Sequence, residues 1–258
     1  MSGKKKILVT NDDGITAPGI AALIEVAKEF GEVLVVSPDS PQSGQGHAIT
    51  IYDPLRLEKQ DIFPGVEAYA CSGTPVDCVK LAKNVLLNDV KPNLCVSGIN
   101  HGGNAGVNIL YSGTMSAAME ASIEGIPSIG FSLLNFAMDA DFAPSQHYAR
   151  KIMKAVLEND MIEAKLLNVN IPNLPMSEIK GIKLCSQANA RWVEDYKEGE
   201  DPRGGKYYWL AGNFVDSDPD NHSGDVRALN TGYVSIVPSM HDLTRFEAIP
   251  ELKYMESI

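Results

Sequence analysis

Apolar segments alternate with amphipathic segments along the first 170 residues. The apolar segments are short, as is typical of strands buried on both faces of a sheet. The amphipathic segments have helical periodicity, and the first of them has Pro18 at its start and Gly31 just past its end. The predicted strands are 6–10, 32–37, 94–98, 127–133 and 166–171, and the predicted helices are 18–30, 75–88, 114–124 and 144–158. This alternation predicts an α/β fold, a Rossmann-like three-layer sandwich around a mostly parallel sheet.

Other stretches of the chain predict additional strands. Residues 48–57 and 66–71 are interpreted as shorter strands, paired as a hairpin. From about residue 180 the helical pattern weakens, and charged and Gly-rich stretches flank YYWLAG (207–212). We predict β-hairpins and extended segments there. The expected domains are therefore 1–180, a Rossmann-like catalytic domain, and 181–258, a β-hairpin and C-terminal oligomerisation appendage.

The net charge limits the classes of partner. The chain has 258 residues, of which 44% are hydrophobic, and a net charge of −11. This charge argues against nonspecific binding to nucleic-acid polymers or to anionic membranes. If such an acidic protein binds a phosphate ester, it needs a local positive charge, and a metal ion is the simplest source.

The cysteines and the N-terminal segment predict a cytoplasmic protein. None of the four cysteines forms a CxxC pair, so we expect no zinc site and interpret them as reduced, buried thiols. The start MSGKKKILVT is basic, but its apolar run is too short for a signal-peptide core. No apolar run approaches the ~18 residues of a transmembrane helix.

Three loops that follow predicted strands carry the polar side chains of interest. They contain Asn11-Asp12-Asp13-Gly14 in the first loop, Ser37, Ser40, Ser43 and His47 in the second, and Ser97, Asn100, His101 and Asn104 in the third. In open α/β sheets, ligands bind beyond the carboxyl ends of the strands. We therefore expect the functional site where these loops meet.

Asp12 and Asp13 are adjacent carboxylates at the end of a buried strand, where they repel each other. A divalent cation offsets that repulsion directly. Hard cations such as Mg²⁺ and Mn²⁺ take oxygen ligands, so the two carboxylates, one serine hydroxyl and one asparagine oxygen form a suitable set. An Asx turn ending at Gly14 explains the same residues without a metal, and this motif alone leaves both interpretations open.

The remaining polar motifs also have two interpretations. Ser112 or Thr114 suits the cap of the helix that follows, and the same free backbone N–H groups suit a phosphate. His47 and His101 fit a proton donor, a phosphate ligand or a plain surface histidine.

Together, these segments resemble the SurE family of nucleotidases. The segments that carry the resemblance are ILVTNDDGITAPGI (7–20), SPDSPQSGQGHAIT (37–50), SGTPVDCV (72–79), SGINHGGNAG (97–106), YSGTMSAAMEA (111–121), IPSIGFS (126–132) and NVNIP (168–172). They span most of residues 6–172 in order, and TGYVSIVP (231–238) extends the resemblance less sharply. His101 departs from the family, which more often has a small residue there.

The resemblance implies a metal-dependent phosphomonoesterase that hydrolyses nucleoside 5′-monophosphates. Some family members also accept 3′-monophosphates and short polyphosphate. It implies one divalent cation per subunit, Mg²⁺ or Mn²⁺, held by Asp12, Asp13, Ser43 and Asn100. Asp12, Asp13 and Asn100 are then expected to be catalytic, with Asp12 as a candidate base. The expected substrate-binding residues are Asn11, Ser43, Gly44, Ser112, Gly113 and Thr114.

The resemblance also implies a homodimer or homotetramer that exchanges C-terminal segments, with 190–215 and 240–258 as the candidate segments. Two alternatives stay open. A haloacid-dehalogenase-like phosphatase would use an aspartyl-phosphate, although its two aspartates are usually separated by one residue and here they are adjacent. A nucleotide-binding regulatory module would bind without turnover. A Rossmann dehydrogenase is disfavoured because the first strand leads to NDDGIT and not to GxGxxG.

Overall fold

A computed structural model describes residues 4–88, 90–137, 139–159, 161 and 165–258. The first three residues of the basic start, which contributed to the predicted location, lie outside this part. The strands are β1 (Lys6–Thr10), β2 (Glu32–Pro38), β3 (Leu57–Gln60), β4 (Glu67–Cys71), β5 (Leu94–His101), β6 (Ser128–Leu133), β7 (Leu166–Ile171), β8 (Ile182–Leu184), β9 (Ala190–Glu200), β10 (Lys206–Asp216) and β11 (Val234–Ser239). The α-helices are α1 (Pro18–Ala27), α2 (Pro75–Leu81), α3 (Gly113–Ile123), α4 (Ala143–Glu158) and α5 (Asp225–Asn230). A π-helical segment follows α2 at Ala82–Leu86, and 3₁₀ helices span Gly106–Leu110, Phe246–Ala248 and Pro250–Ser257.

The central sheet has nine strands in the order β3-β4-β2-β1-β5-β6-β7-β11-β8. The six strands from β4 to β7 in this order run parallel. β3 and β11 pair antiparallel with β4 and β7, and β8 runs parallel to β11. The prediction of an α/β fold with a mostly parallel sheet is therefore confirmed.

Helices cover both faces of this sheet. Alternate residues of β1 point to opposite faces, as strand geometry requires. Ile7 and Val9 pack in one core with α1 and α4, whereas Leu8 packs in a second core with α2 and α3. Because both faces are buried, β1 and β2 each contain an unbroken apolar run, ILV (7–9) and VLVV (33–36), and do not alternate with polar residues.

The order of the strands places a switch point between β1 and β5. The chain passes from β1 to β2 on one side, whereas β5 pairs with the other side of β1. Asp12 and Asp13 follow β1, and Asn100 lies near the end of β5 just after a register shift against β6. Such irregularities re-aim side chains next to functional sites. The topology therefore brings the first and third predicted loops together.

The first strand of the predicted hairpin lies elsewhere than expected. Residues 48–56 form no regular strand, and the strand that pairs with β4 is β3, at Leu57–Gln60. The backbone N–H of Thr50 donates to the carboxylate of Asp77, and Pro54 has no N–H to give to a ladder. The prediction of a strand at 48–57 was wrong for these reasons.

The segment after residue 180 contributes to the central sheet. β8 and β11 both belong to it, whereas β9 and β10 form a separate antiparallel hairpin, as predicted. The expectation of only hairpins and extended segments was wrong for α5 and the 3₁₀ helices near the C-terminus. With six residues, α5 is shorter than the window in which helical periodicity can be detected.

Three of the four cysteines, Cys71, Cys78 and Cys95, are buried as predicted, but Cys185 is half-buried. All four are free thiols. Within the part of the chain that the structure describes, no helix has the length and apolar character needed to cross a membrane.

Candidate active site

The three predicted loops and the start of α3 are joined by hydrogen bonds at the switch point. The N–H of Gln42 in the second loop donates to the carbonyl oxygen of Asp12 at 2.7 Å. The N–H of Gly46 donates to the carbonyl oxygen of Tyr111 at 3.2 Å, which ties the same loop to the segment before α3. These contacts place residues from distant parts of the sequence around one point.

Asp12 is the buried centre of this arrangement. Its side chain accepts hydrogen bonds from the hydroxyl and the backbone N–H of Thr114, at the first turn of α3. The pKa of Asp12 is raised from 3.8 to about 6. Burial is the largest cause, the neighbouring charge of Asp13 acts in the same direction, and the hydrogen bonds from Thr114 act in the opposite direction. An ionised Asp12 is therefore costly in the metal-free protein, and a nearby cation would relieve that cost.

The first turn of α3 binds the Asp12 carboxylate and is capped by Ser112. Thr114 donates to Asp12, and the Ser112 hydroxyl accepts from the N–H of Met115 at 3.0 Å. A Cβ atom on Gly113 would lie 2.7 Å from the Cβ atom of Asp12 and 2.9 Å from its Oδ2 atom. Only glycine lets the two segments approach this closely. The cap interpretation of Ser112 is confirmed, and Thr114 is fully buried behind Asp12.

His101, for which the sequence leaves several roles open, contacts the Asp13 carboxylate. The backbone N–H and the ring Nδ1 of His101 both lie 3.2 Å from Asp13 Oδ2. The His101 ring packs edge-on against Phe142 at 5.2 Å between centroids. Its side chain is 8% exposed, so the plain surface interpretation is wrong. His101 thus fixes the orientation of Asp13 from β5.

Asn100 presents an oxygen because its nitrogen is already engaged. Its Nδ2 atom donates to the carbonyl oxygen of Gly102 at 2.8 Å, which turns Oδ1 the other way. The loop that follows is supported by a buried polar network. In this network Asn104 donates to Ser132 and Asn170, and Asn168 donates to the carbonyl oxygen of Asn104.

The second loop, which carries Ser43, is anchored at one point in α3. His47 Nε2 lies 2.9 Å from Glu120 Oε2, and Lys80 Nζ lies 2.5 Å from Glu120 Oε1. Hydrogen bonding to His47, and then to Lys80, lowers the pKa of the buried Glu120 carboxyl. His47 therefore positions the loop, a role that the sequence alone did not reveal. Ser43 itself is exposed.

These residues surround an open cavity of about 1310 Å³. Of the nine predicted site residues, the cavity wall includes Asp12, Ser43, Gly44, Asn100 and Ser112, whereas Asn11, Asp13, Gly113 and Thr114 lie outside it. Asn11 is buried, and its amide bonds the carbonyl oxygen of Gly14 and the hydroxyl of Ser37. In this arrangement the Asn11 side chain shapes the turn that carries Asp12 and Asp13.

Comparison with known proteins identifies the family. Residues 7–194 match the family model described as Survival protein SurE. The 5′-nucleotidase SurE of Christiangramia forsetii is 56% identical over 253 residues, covering 96% of each chain. The chain belongs to the SurE family. A 5′-nucleotidase SurE of Bacteroides fragilis is 45% identical over 97% of each chain, and the crystal structure of the SurE protein of Aquifex aeolicus superimposes with a TM-score of 0.83 at 41% identity, over 97% of this chain and 99% of that one.

Membership of the SurE family argues against the haloacid-dehalogenase-like alternative, which belongs to a different family. A metal site at the switch point requires side chains that suit a cation. No group of three or more His, Cys, Asp or Glu side chains suited to a metal occurs among the residues with described positions. A site here therefore depends on two carboxylates together with the neutral oxygens of Ser43 and Asn100. Such an all-oxygen set fits Mg²⁺ or Mn²⁺ and leaves positions for water and a phosphate oxygen.

Proposed function

We propose that this chain is a divalent-metal-dependent phosphomonoesterase that releases phosphate from nucleoside 5′-monophosphates. The observation that carries the proposal is the meeting of Asp12 and Asn100 at the β1/β5 switch point, at the base of a cavity that Ser43 also lines. Relatives at 45–56% identity over almost the whole chain carry the name 5′-nucleotidase SurE. Nucleoside 3′-monophosphates and short polyphosphate are additional proposed substrates.

The proposed cation is one Mg²⁺ or Mn²⁺ per subunit, with ligands from Asp12, Asp13, Ser43 and Asn100. When bound, it polarises the phosphoryl oxygen and neutralises charge that develops on the ester. Its charge would also offset the repulsion and burial that raise the pKa of Asp12.

The chain's own residues supply orientation and proton transfer. Thr114 fixes one oxygen of the Asp12 carboxylate, and the other, Oδ2, is the candidate to accept a proton from the attacking water. The Ser43 hydroxyl is the proposed donor to a phosphate oxygen, whereas Asn100 Oδ1 is an acceptor and is proposed to face the cation, because Asn100 Nδ2 donates to Gly102. In the first turn of α3, the N–H of Thr114 donates to Asp12 and the N–H of Met115 donates to the Ser112 hydroxyl. The N–H of Gly113 is therefore the proposed phosphate contact.

Phosphate release from adenosine 5′-monophosphate tests this proposal. Protein stripped with EDTA is resupplied with Mg²⁺, Mn²⁺, Co²⁺ or Zn²⁺, and Asp12→Asn and Asp13→Asn are compared with Asp39→Asn, an exposed carboxylate in the second loop. We expect metal-dependent turnover that each site variant lowers by more than about a hundredfold, since loss of an outer-shell partner alone costs 10–100-fold. Retained metal-dependent activity in both site variants would contradict the proposed site. Stabilisation by the nucleotide without phosphate release at any metal concentration would favour the non-catalytic binding module.

We also propose a cytoplasmic homodimer or homotetramer. Exposed apolar side chains on the hairpin and in the C-terminal segment support the assembly, because large exposed apolar patches mark interaction sites. Examples are Tyr208 on β10 and Leu243 and Phe246 near the C-terminus. Light scattering on the whole chain and on a variant truncated after residue 239 tests this. A whole chain that is monomeric at micromolar concentration would contradict it.

A further inference from the structure

The cavity extends well beyond the space that a phosphate group needs. Its volume of about 1310 Å³ exceeds the roughly 300–1,000 Å³ typical of small-molecule pockets. Its lining is polar at the β1/β5 switch point, where Asp12, Asn100 and Ser112 lie, and aromatic or aliphatic on the β9–β10 hairpin and at Phe136. The two ends of the cavity therefore suit chemically different parts of one ligand.

One outer wall is a single face of the β9–β10 hairpin. In an antiparallel pair, directly opposed residues point to the same face. Trp192 opposes Phe214, and Tyr196 opposes Leu210. Trp192, Phe214 and Leu210 all line the cavity, and Trp192 and Phe214 contact edge-on with centroids 6.3 Å apart. Trp209, which opposes Lys197, lies on the other face.

The other wall carries a phenylalanine close to the phosphate end. Phe136 follows β6, lines the cavity and is 75% exposed. Its ring lies directly against Gly102, where a Cβ atom would come within 2.3 Å of a ring carbon. Gly102 also has a φ of +102°, which favours glycine on conformational grounds. An aromatic face is thus held open to the cavity beside the loop of Asn100.

We propose that Trp192 and Phe136 form the nucleobase-binding wall of this cavity, a proposal that rests on the proposed function. Base–aromatic stacking suits every base, because each base has a π-face. The charges on the hairpin face fix the direction of the ligand. Glu194 and Asp216 lie on the same face as Trp192, so a phosphate there would be repelled whereas a neutral base is accepted.

Tryptophan fluorescence tests the wall without turnover. The chain has two tryptophans, Trp192 and Trp209, on opposite faces of one hairpin, and each contacts one aromatic ring at a similar distance. Trp209→Phe leaves Trp192 as the only reporter, and Trp192→Phe is its matched control. We expect adenosine, which carries a base and no phosphate, to quench Trp192 saturably and Trp209 not at all.

Kinetics with two substrates adds a readout that a structural role would not move. Trp192→Leu is expected to lower kcat/KM for adenosine 5′-monophosphate by about fivefold or more, mainly through KM, as loss of one stacked ring does. Activity toward ribose 5-phosphate, which lacks a base, should stay within about twofold on the same reasoning. Trp209→Leu should change neither substrate. An equal loss for both substrates would overturn the proposal by marking Trp192 as structural.

The two experiments separate failure of the wall from failure of the enzymatic proposal. Absence of Trp192 quenching, with nucleotide turnover intact, overturns the wall and leaves the phosphatase proposal standing. Quenching of Trp192 by adenosine without phosphate release from any nucleotide supports the wall and overturns the phosphatase proposal.

Discussion

Replacing Asp12 by asparagine is expected to stabilise the metal-free protein even though it abolishes activity. Asp12 has a pKa of about 6 in the folded protein against 3.8 for the free side chain. The unfolded chain therefore loses this proton at lower pH than the folded chain, and ionisation costs the folded state free energy as the pH rises from about 4 to 6. At 1.36 kcal/mol per pKa unit, the difference amounts to ~3 kcal/mol. The asparagine amide still accepts from Thr114 but has N–H groups to satisfy, so we expect a net gain of roughly 1–3 kcal/mol.

Urea unfolding in EDTA at pH 7.5 and pH 4, followed by circular dichroism, measures this gain. The advantage of Asp12→Asn should appear at pH 7.5 and shrink below about 1 kcal/mol at pH 4, where the folded wild type keeps its proton. Saturating Mn²⁺ should reverse the order, because only the wild type gains binding energy from the cation. Asp39→Asn should leave stability unchanged. A variant that is less stable than wild type in EDTA at pH 7.5 would show that the ionised Asp12 carboxylate does not cost the folded protein stability.

Three other substitutions test the supports of the site. Gly113→Ala forces a methyl group against Asp12, so we expect denaturation to show a stability loss of about 1–3 kcal/mol. Phosphate release should fall as well, because the methyl group displaces the Asp12 carboxylate. Unchanged phosphate release would show that the close approach is dispensable. Glu120→Gln weakens the anchor of the second loop. Because hydrogen bonding lowers the pKa of Glu120, its contribution is fully present above the ordinary value of 4.5 and is lost as the pH falls through the lowered pKa of the folded state. The variant should therefore be less stable at pH 7 and equal to wild type in strong acid. His101→Leu removes the ring contact to Asp13 and should weaken Mn²⁺ binding by about 10–100-fold, as loss of an outer-shell partner does. His101→Asn should partly restore the affinity. Equal affinities by titration calorimetry would exclude this positioning role.

The central strands β1 and β2 could be predicted from the sequence because each contains an unbroken apolar run. Burial on both faces makes such runs conspicuous, as in the alternation of Ile7, Leu8 and Val9 between two cores. The strand predicted at 48–57 is absent, although this segment has the apolar pattern of a strand. The N–H of Thr50 donates to the Asp77 carboxylate and not to a neighbouring strand. A side-chain contact across 27 residues leaves no trace in local periodicity.

The residues at the carboxyl ends of β1 and β5 could be predicted as a site for a similar reason. Topology alone brings those ends together, so Asp12 and Asn100 were expected to meet. The supporting contacts could not be predicted, because they join distant segments. His47 bonds Glu120 across 73 residues, and the hydroxyl of Thr114 bonds Asp12 across 102. The sequence contained one usable signal, the NVN of residues 168–170, whose polar side chains in a buried strand required partners.

The proposed function depends on one divalent cation between the loops of β1, β2 and β5. Anomalous scattering from crystals soaked in Mn²⁺ would locate that cation. We predict a single peak within about 2.0–2.6 Å of oxygens from Asp12, Asp13, Ser43 and Asn100, the range that Mg²⁺ and Ca²⁺ ligands span. A structure with no peak at that position, and with the two carboxylates turned away from each other, would rule out the proposed metal site.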